Sequence, residues 1–228
     1  DHVLTANHII VNIEPIGSRR AKFASAPAVT VVIFEESHLG GTCLNVGCIP
    51  TKTFARSAEA VGEMRNAEAL GLKAVEPQFT MADIVARKDS VVEQLRQGIA
   101  SVLSAPGITL VNAKASFVDD HTVEADGERY EADNIIIATG SAHKSLRLEN
   151  LDGQMCVTSD DLLSLTDLPK HLCIVGAGVI GMEFASIFNQ LAVEVTVVEF
   201  LKECIPALDS DIAKRLRKSL EKRGVEFF

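Results

Sequence analysis

Short apolar runs alternate along this chain with longer stretches of helical periodicity. His171-Leu172-Cys173-Ile174-Val175 is one such run. Apolar throughout its interior and followed at once by glycines, it predicts a buried parallel strand. A helical stretch then runs from Met182 to about Leu191, and a second strand from Val193 to Val198 ends on Glu199. The pattern recurs 164 positions earlier, with Ile9-Ile10-Val11 as first strand, Val29 to Phe34 as second, and Glu35 in the place of Glu199. Between the two units, a helix is predicted from Thr51 to about Ala69. Thr80 N-caps another, whose apolar face is Ile84, Val91, Val92, Leu95, Ile99, Val102 and Leu103. Pro106-Gly107 ends it. Short strands follow at 109–111, 116–118 and 122–124, with a hairpin signal at Asp126-Gly127. A further apolar strand, Asn134 to Ala138, runs into Thr139-Gly140-Ser141.

The segment Gly176-Ala177-Gly178-Val179-Ile180-Gly181 lies between strand and helix, and the acid stands 23 positions after the first glycine. Strand, G-x-G-x-x-G, helix, strand and acid together form a dinucleotide-binding fingerprint. Gly176 permits the tight turn, Gly178 lets the backbone approach a pyrophosphate, and Gly181 lets helix and strand pack closely. The helix N-terminus presents N–H groups and a positive dipole to the phosphates. Glu199 is placed to accept from both ribose hydroxyls and to repel a 2′-phosphate, which favours NAD over NADP. In the earlier unit Gly17 matches Gly181, but Asn12 and Glu14 stand where the first two glycines belong. Ala28 and Ala192 occupy positions where a helix-ending glycine is expected. The predicted fold class is α/β, with two Rossmann-like three-layer nucleotide-binding domains, the second truncated. The first spans 1–148 and the second, partial, spans 149–228, with their junction in the segment His143 to Gly153.

Charge and composition narrow the function. A net charge of −9 argues against a nucleic-acid partner, whose phosphates call for a basic surface. No apolar run reaches the ~18 residues needed to span a bilayer. Five cysteines, an odd number set mostly in apolar stretches, do not form a secreted disulfide framework. A reducing compartment, bacterial cytoplasm or an organelle matrix, is expected.

Most of the chemistry sits in Leu39-Gly40-Gly41-Thr42-Cys43-Leu44-Asn45-Val46-Gly47-Cys48-Ile49-Pro50-Thr51-Lys52. Two cysteines separated by four residues at the start of a helix can close a small disulfide ring. The helix terminus and Lys52 supply the positive surroundings that reactive thiols use. Metal ligation is the rival reading, but no second Cys or His pair completes a zinc set, so no metal is expected.

This segment resembles the active-site signature of the class I pyridine nucleotide–disulfide oxidoreductases, a family that includes dihydrolipoamide dehydrogenase, glutathione reductase and mercuric reductase. The resemblance extends over essentially the whole chain, through Ala132 to Ser141, Thr158-Ser159-Asp160 and the fingerprint with Glu183. Leu44, Ile49 and Glu199 lean toward dihydrolipoamide dehydrogenase. The resemblance implies FAD and NAD as cofactors and a small disulfide or dithiol such as lipoamide as substrate. In that relay electrons pass between NAD(H), the flavin and the Cys43–Cys48 disulfide, with Cys48 toward the flavin and Cys43 exchanging with substrate. Lys52 and Glu183 match the family's ion pair beside the flavin. Gly41, Thr42, Thr139 and Gly140 fall among its flavin contacts, and Glu35 at the adenosine ribose. Full-length members are homodimers of the cytoplasm or mitochondrial matrix.

The chain also departs from that pattern. Side chains at Asn12 and Glu14 obstruct a pyrophosphate, and the Glu14 carboxylate repels it. Family members continue well beyond the counterpart of Phe228, into an interface domain that donates a His–Glu pair. None of the six histidines here lies in such a motif. The expectation is a chain inactive by itself that holds flavin weakly. The rival expectations are a non-catalytic nucleotide-binding remnant and a glutathione or mercuric reductase-like enzyme.

Overall fold

A computed structural model describes residues 30–143 and 156–228, together with the backbone course of residues 9–13. Contacts divide the chain into two compact units, one of residues 1–45 with 92–149 and the other of 46–91 with 150–228.

The first unit holds a four-stranded sheet in the order β3-β2-β1-β7, with β1 Ile9–Ile13, β2 Thr30–Phe34, β3 Ile108–Val111 and β7 Asn134–Ile137. A short helix, α1 Gly41–Asn45, follows β2. A three-stranded meander is built from β4 Ala115–Asp119, β5 Thr122–Ala125 and β6 Glu128–Glu131. Its β5–β6 turn is Asp126-Gly127, with φ of 50° and 80°, the paired positive angles of a two-residue I′ hairpin. Val32, Phe34, Ala113, Ala115, Val123, Ala125 and Ala132 form the core, and Tyr130 meets Phe34 edge-on with ring centroids 5.0 Å apart.

β2 and β3 are parallel, but β1 runs antiparallel to both β2 and β7. This departs from the doubly wound pattern that the internal echo implied. Parallel neighbours require a crossover, and in this fold the crossover begins with glycines that turn the chain away from the sheet. Here Asn12 and Ile13 extend the strand instead, in register with Val31 and Thr30.

The second unit follows the expected order of elements, although β8, expected to be a buried strand, is only half-buried at Leu172 and Ile174 and exposed at its other residues. β8 His171–Val175, α5 Val179–Gln190, β9 Glu194–Val198, α6 Ser210–Glu221 and β10 Glu226–Phe227 build a parallel sheet in the order β10-β9-β8. That is the half-site order of a dinucleotide-binding fold. Phe184, Ile187 and Phe188 of α5 pack with Val195, Val197, Leu220 and Val225. On the other face His171, Cys173 and Val175 of β8 are exposed. A four-residue helix, α4 Ser159–Leu162, is closed by a capping box between Thr158 and Asp161.

α2 Cys48–Arg65 begins earlier than the sequence suggested and is followed by a 3-10 turn at Ala67–Leu70. Pro50 does not delay it, because in the first turn a missing N–H costs nothing. α5 likewise starts before Met182, with Gly181 inside its first turn. In α3 Met81–Leu103, Asp83 donates its N–H to the Thr80 hydroxyl at 3.1 Å, as an N-cap should. Ile84 and Val92 of its apolar face are buried, whereas Leu95 and Val102 are exposed. Among the described residues no helix is long and apolar enough to cross a membrane.

Candidate functional site

In the second unit every part of the glycine turn has a geometric cause. Gly176 has φ of 105°, a left-handed conformation in which a side chain is strained. A Cβ on Gly181 would fall 2.1 Å from the Gly176 carbonyl oxygen and 3.2 Å from Ile174 Cγ2, so only glycine lets α5 approach β8 this closely. Gly178 is the N-cap and makes no side-chain capping bond, leaving the backbone N–H groups of the first turn to meet a ligand.

Glu199 completes this turn from the end of β9. One carboxylate oxygen accepts from Ala177 N–H at 2.6 Å and the other from Leu201 N–H at 2.9 Å. These backbone donors, Leu201 first and Ala177 second, hold its carboxyl below the usual value. The following residue, Phe200, is fully exposed.

The first unit repeats the acid but not the turn. Glu35 is buried and accepts from Ser37 N–H at 2.7 Å, the counterpart of the Glu199–Leu201 bond. Asn12, the counterpart of Gly176, lies in a strand. Glu14 and Gly17 fall outside the described residues, as does Ala28. Among the described residues, a strand stands at Asn12 and Ile13 where a turn for the pyrophosphate of a flavin dinucleotide should open, and this does not fit that group. Thr139 is half-buried and Gly140 exposed, with φ of 75° for the glycine.

The cysteine segment enters α1 through two left-handed glycines, Gly40 and Gly41, with φ of 105° and 62°. A Cβ on Gly40 would come within 2.5 Å of Leu44 Cδ2. Leu44 is buried, which seats α1 and leaves the Cys43 side of the segment exposed; Thr42 is half-buried. Cys48 is the first residue of α2, after Gly47, and is exposed. Cys156 and Cys173 are exposed too, whereas Cys204 is buried with its thiol 3.3 Å from the Ala213 carbonyl, and burial raises its pKa.

Within the second unit, α2 brings Lys52 against Glu183 of α5, Nζ donating to Oε1. The two helices approach closely at Gly62, where a Cβ would sit 3.2 Å from Gln190 Oε1, and Arg65 Nη1 donates to the Gln190 carbonyl at 3.1 Å. Lys52, Ala55, Arg56, Glu59 and Gln190 line an open groove of about 350 Å³.

Two residues of this region escaped the sequence reading. Asn45, between the cysteines, donates through Nδ2 to the carbonyls of Gly41 at 2.9 Å and Leu39 at 3.0 Å, with a longer contact to His38 at 3.4 Å. Its Oδ1 accepts from Arg96 Nε of α3 at 2.6 Å. An asparagine four residues after a glycine pair was a legible sign of local backbone bonding. Arg96 gave no sign, because its partner is remote in sequence.

A family model described as pyridine nucleotide-disulphide oxidoreductase matches residues 9–228. The chain belongs to this family. It is 37% identical over 218 residues to dihydrolipoyl dehydrogenase of Bacillus subtilis, a match covering 93% of this chain and 48% of the relative. Among solved structures it resembles LpdA of Mycobacterium tuberculosis, with a TM-score of 0.78, 30% identity, and coverage of 87% and 45% of the two chains. The HOCl-induced flavoprotein disulfide reductase RclA of Escherichia coli matches with a TM-score of 0.73 and 30% identity, over 86% and 42%. The chain thus spans about half the length of the relatives it matches.

Proposed function

We propose that this chain is part of an FAD-dependent, NAD-linked disulfide oxidoreductase of the dihydrolipoamide dehydrogenase type. Residues 1–148 correspond to its flavin domain with the redox disulfide, and 149–228 to the start of its NAD domain. The observation that carries the reading is the glycine turn at Gly176, Gly178 and Gly181, opening on the uncapped start of α5 with Glu199 beside it. These residues would hold NAD, which when bound supplies or accepts a hydride. The backbone N–H groups at the start of α5 would take the pyrophosphate, and the Glu199 carboxylate would take the adenosine ribose.

The thiol chemistry belongs to Cys43 and Cys48. The Cys43 thiolate attacks a small disulfide such as lipoamide, forming a mixed disulfide and releasing one substrate thiolate, which takes up a proton. Cys48, losing its proton, then attacks the Cys43 sulfur. The Cys43–Cys48 disulfide forms and the second substrate sulfur leaves as a thiol. The reverse sequence oxidises a dithiol. Lys52 and Glu183 hold each other in one orientation and set the charge beside the cysteine-bearing end of α2.

The flavin is a different matter. Because Asn12 and Ile13 continue β1, the described residues show no turn to receive its pyrophosphate. That observation favours a second reading for the chain as it stands: a nucleotide-binding remnant without turnover. A whole enzyme of this type is expected to be a homodimer of the cytoplasm or mitochondrial matrix. Titrating NADH and NADPH calorimetrically into the purified chain tests the leading reading. NADH should bind the more tightly, and tighter NADPH binding would overturn the assignment of Glu199.

A further inference from the structure

We infer that Arg96 is a positioning residue for the redox cysteines, acting through Asn45. This inference rests on the proposed role of Cys43 and Cys48. Its evidence lies wholly within the first unit. Asn45 closes α1, and its side-chain amide gathers the carbonyls of His38, Leu39 and Gly41 onto one nitrogen. Those carbonyls belong to the approach to Cys43, a stretch otherwise loosened by two consecutive left-handed glycines, Gly40 and Gly41.

An amide can serve that approach only while its orientation is fixed. If it flips, Oδ1 faces three carbonyls and the bonds become repulsions. Arg96 sets the orientation. Its Nε donates to Asn45 Oδ1 at 2.6 Å, and a guanidinium cannot accept, so only the observed orientation satisfies both partners. A charged donor on the carbonyl oxygen also polarises the amide and strengthens the bonds its nitrogen donates. Arg96 is itself steadied, with its guanidinium 3.7 Å from the Glu93 carboxylate and its side chain only 27% exposed. The latch keeps the Cys43 approach in one conformation and so raises the effective concentration of Cys43 toward Cys48.

The test is the equilibrium of the purified chain with glutathione disulfide and glutathione. Two cysteine thiols lose two electrons and two protons, and one glutathione disulfide becomes two glutathione molecules. The Cys43–Cys48 disulfide is read by mass after alkylation of the remaining thiols. Arg96→Ala should lower the effective concentration of the pair about 3- to 10-fold. Arg96→Lys, which keeps one cationic donor, should recover most of the loss. Asn45→Ala should reproduce Arg96→Ala, and the double variant should be no worse than either single one. Gln94→Ala, on an exposed neighbour in α3, should leave the equilibrium unchanged.

An unchanged equilibrium in Arg96→Ala overturns the inference. So does an equal shift in Gln94→Ala, which would mean general loosening of the helix. Should Arg96→Ala not fold, Arg96→Lys and Arg96→Gln decide the matter: identical, wild-type equilibria in both overturn it, and a graded loss supports it. If the unsubstituted chain forms no Cys43–Cys48 disulfide at any glutathione ratio, the reading of the cysteines fails before that of Arg96.

Discussion

The chain contains the same strand–acid arrangement twice, and only one copy is followed through. β9 and β2 are offset by the same interval as Glu199 and Glu35, and each acid accepts from the N–H two residues later. The copies part at the strand before. β8 ends at Val175 and Gly176 turns the chain out of the sheet, whereas β1 runs on through Asn12 and Ile13. In the second unit Glu199 therefore reaches back to Ala177 of the turn. Ile13, the counterpart of Ala177, is paired with Thr30 instead. Strand and acid recur in both units, and among the described residues the glycine turn between them is seen in the second.

The largest effect should come from breaking the intact copy. Gly181→Val places branched carbons where even a Cβ lies 2.1 Å from the Gly176 oxygen. Overpacking against backbone should cost roughly 3 kcal/mol or more of the second unit's stability, and abolish NADH binding. Urea unfolding and calorimetry check the two parts, and near-wild-type values for both would mean that α5 can slide away from β8.

The complementary experiment repairs the defective copy. As it stands, the purified chain should retain little flavin. Asn12→Gly with Glu14→Gly, in a version extended to the length of the relatives, should strengthen flavin retention by about 10-fold or more, since the change removes two obstructions and a repelling charge. Visible absorbance of the purified protein measures it. Stoichiometric flavin in the unaltered chain would show that the phosphate is held elsewhere.

Smaller effects sharpen the comparison at the acid. Two backbone donors to a carboxylate lower the Glu199 pKa below 4.5. With the folded value depressed, the stabilisation is complete above the unfolded value and is lost as pH falls through the folded one. Glu199→Gln should therefore cost about 1 kcal/mol near neutrality and flatten the decline in stability below pH ~4.5. Unfolding curves across acidic pH distinguish the two proteins, and parallel curves would remove Glu199 from the account.

The smallest effect belongs to Ala192, which follows α5 with φ of 69°. Ala192→Gly should stabilise by roughly 0.5–1 kcal/mol, as relief of left-handed strain exceeds glycine's added flexibility when unfolded. A rise in the thermal midpoint would show it. A fall would mean the alanine methyl makes a contact worth more than the strain.

How legible this was in the sequence depended on locality. β8, α5, β9 and the glycine turn were readable because the fingerprint encodes strand, turn and helix in one continuous stretch. The hairpin at Asp126-Gly127 was readable for the same reason, two residues fixing one turn. The direction of β1 was not, since it depends on pairing with β7 from far along the chain. The pairing of Lys52 with Glu183 came from family resemblance and not from any local rule. Arg96 was invisible by either route, because a lone arginine on a helix carries no mark of which distant amide it will hold.

The two sheets also differ in when they can form. Every pairing in β10-β9-β8 joins strands consecutive in sequence, so each loop closes over one helix. The four-stranded sheet must bring Ile9 alongside Ile137, and chain closure over such a span is slow. In refolding, amide protons of β8 and β9 should become protected from exchange first, with those of β1 and β7 last. Pulse-labelling would then find a transient species with the three-stranded parallel sheet built and the four-stranded one still open.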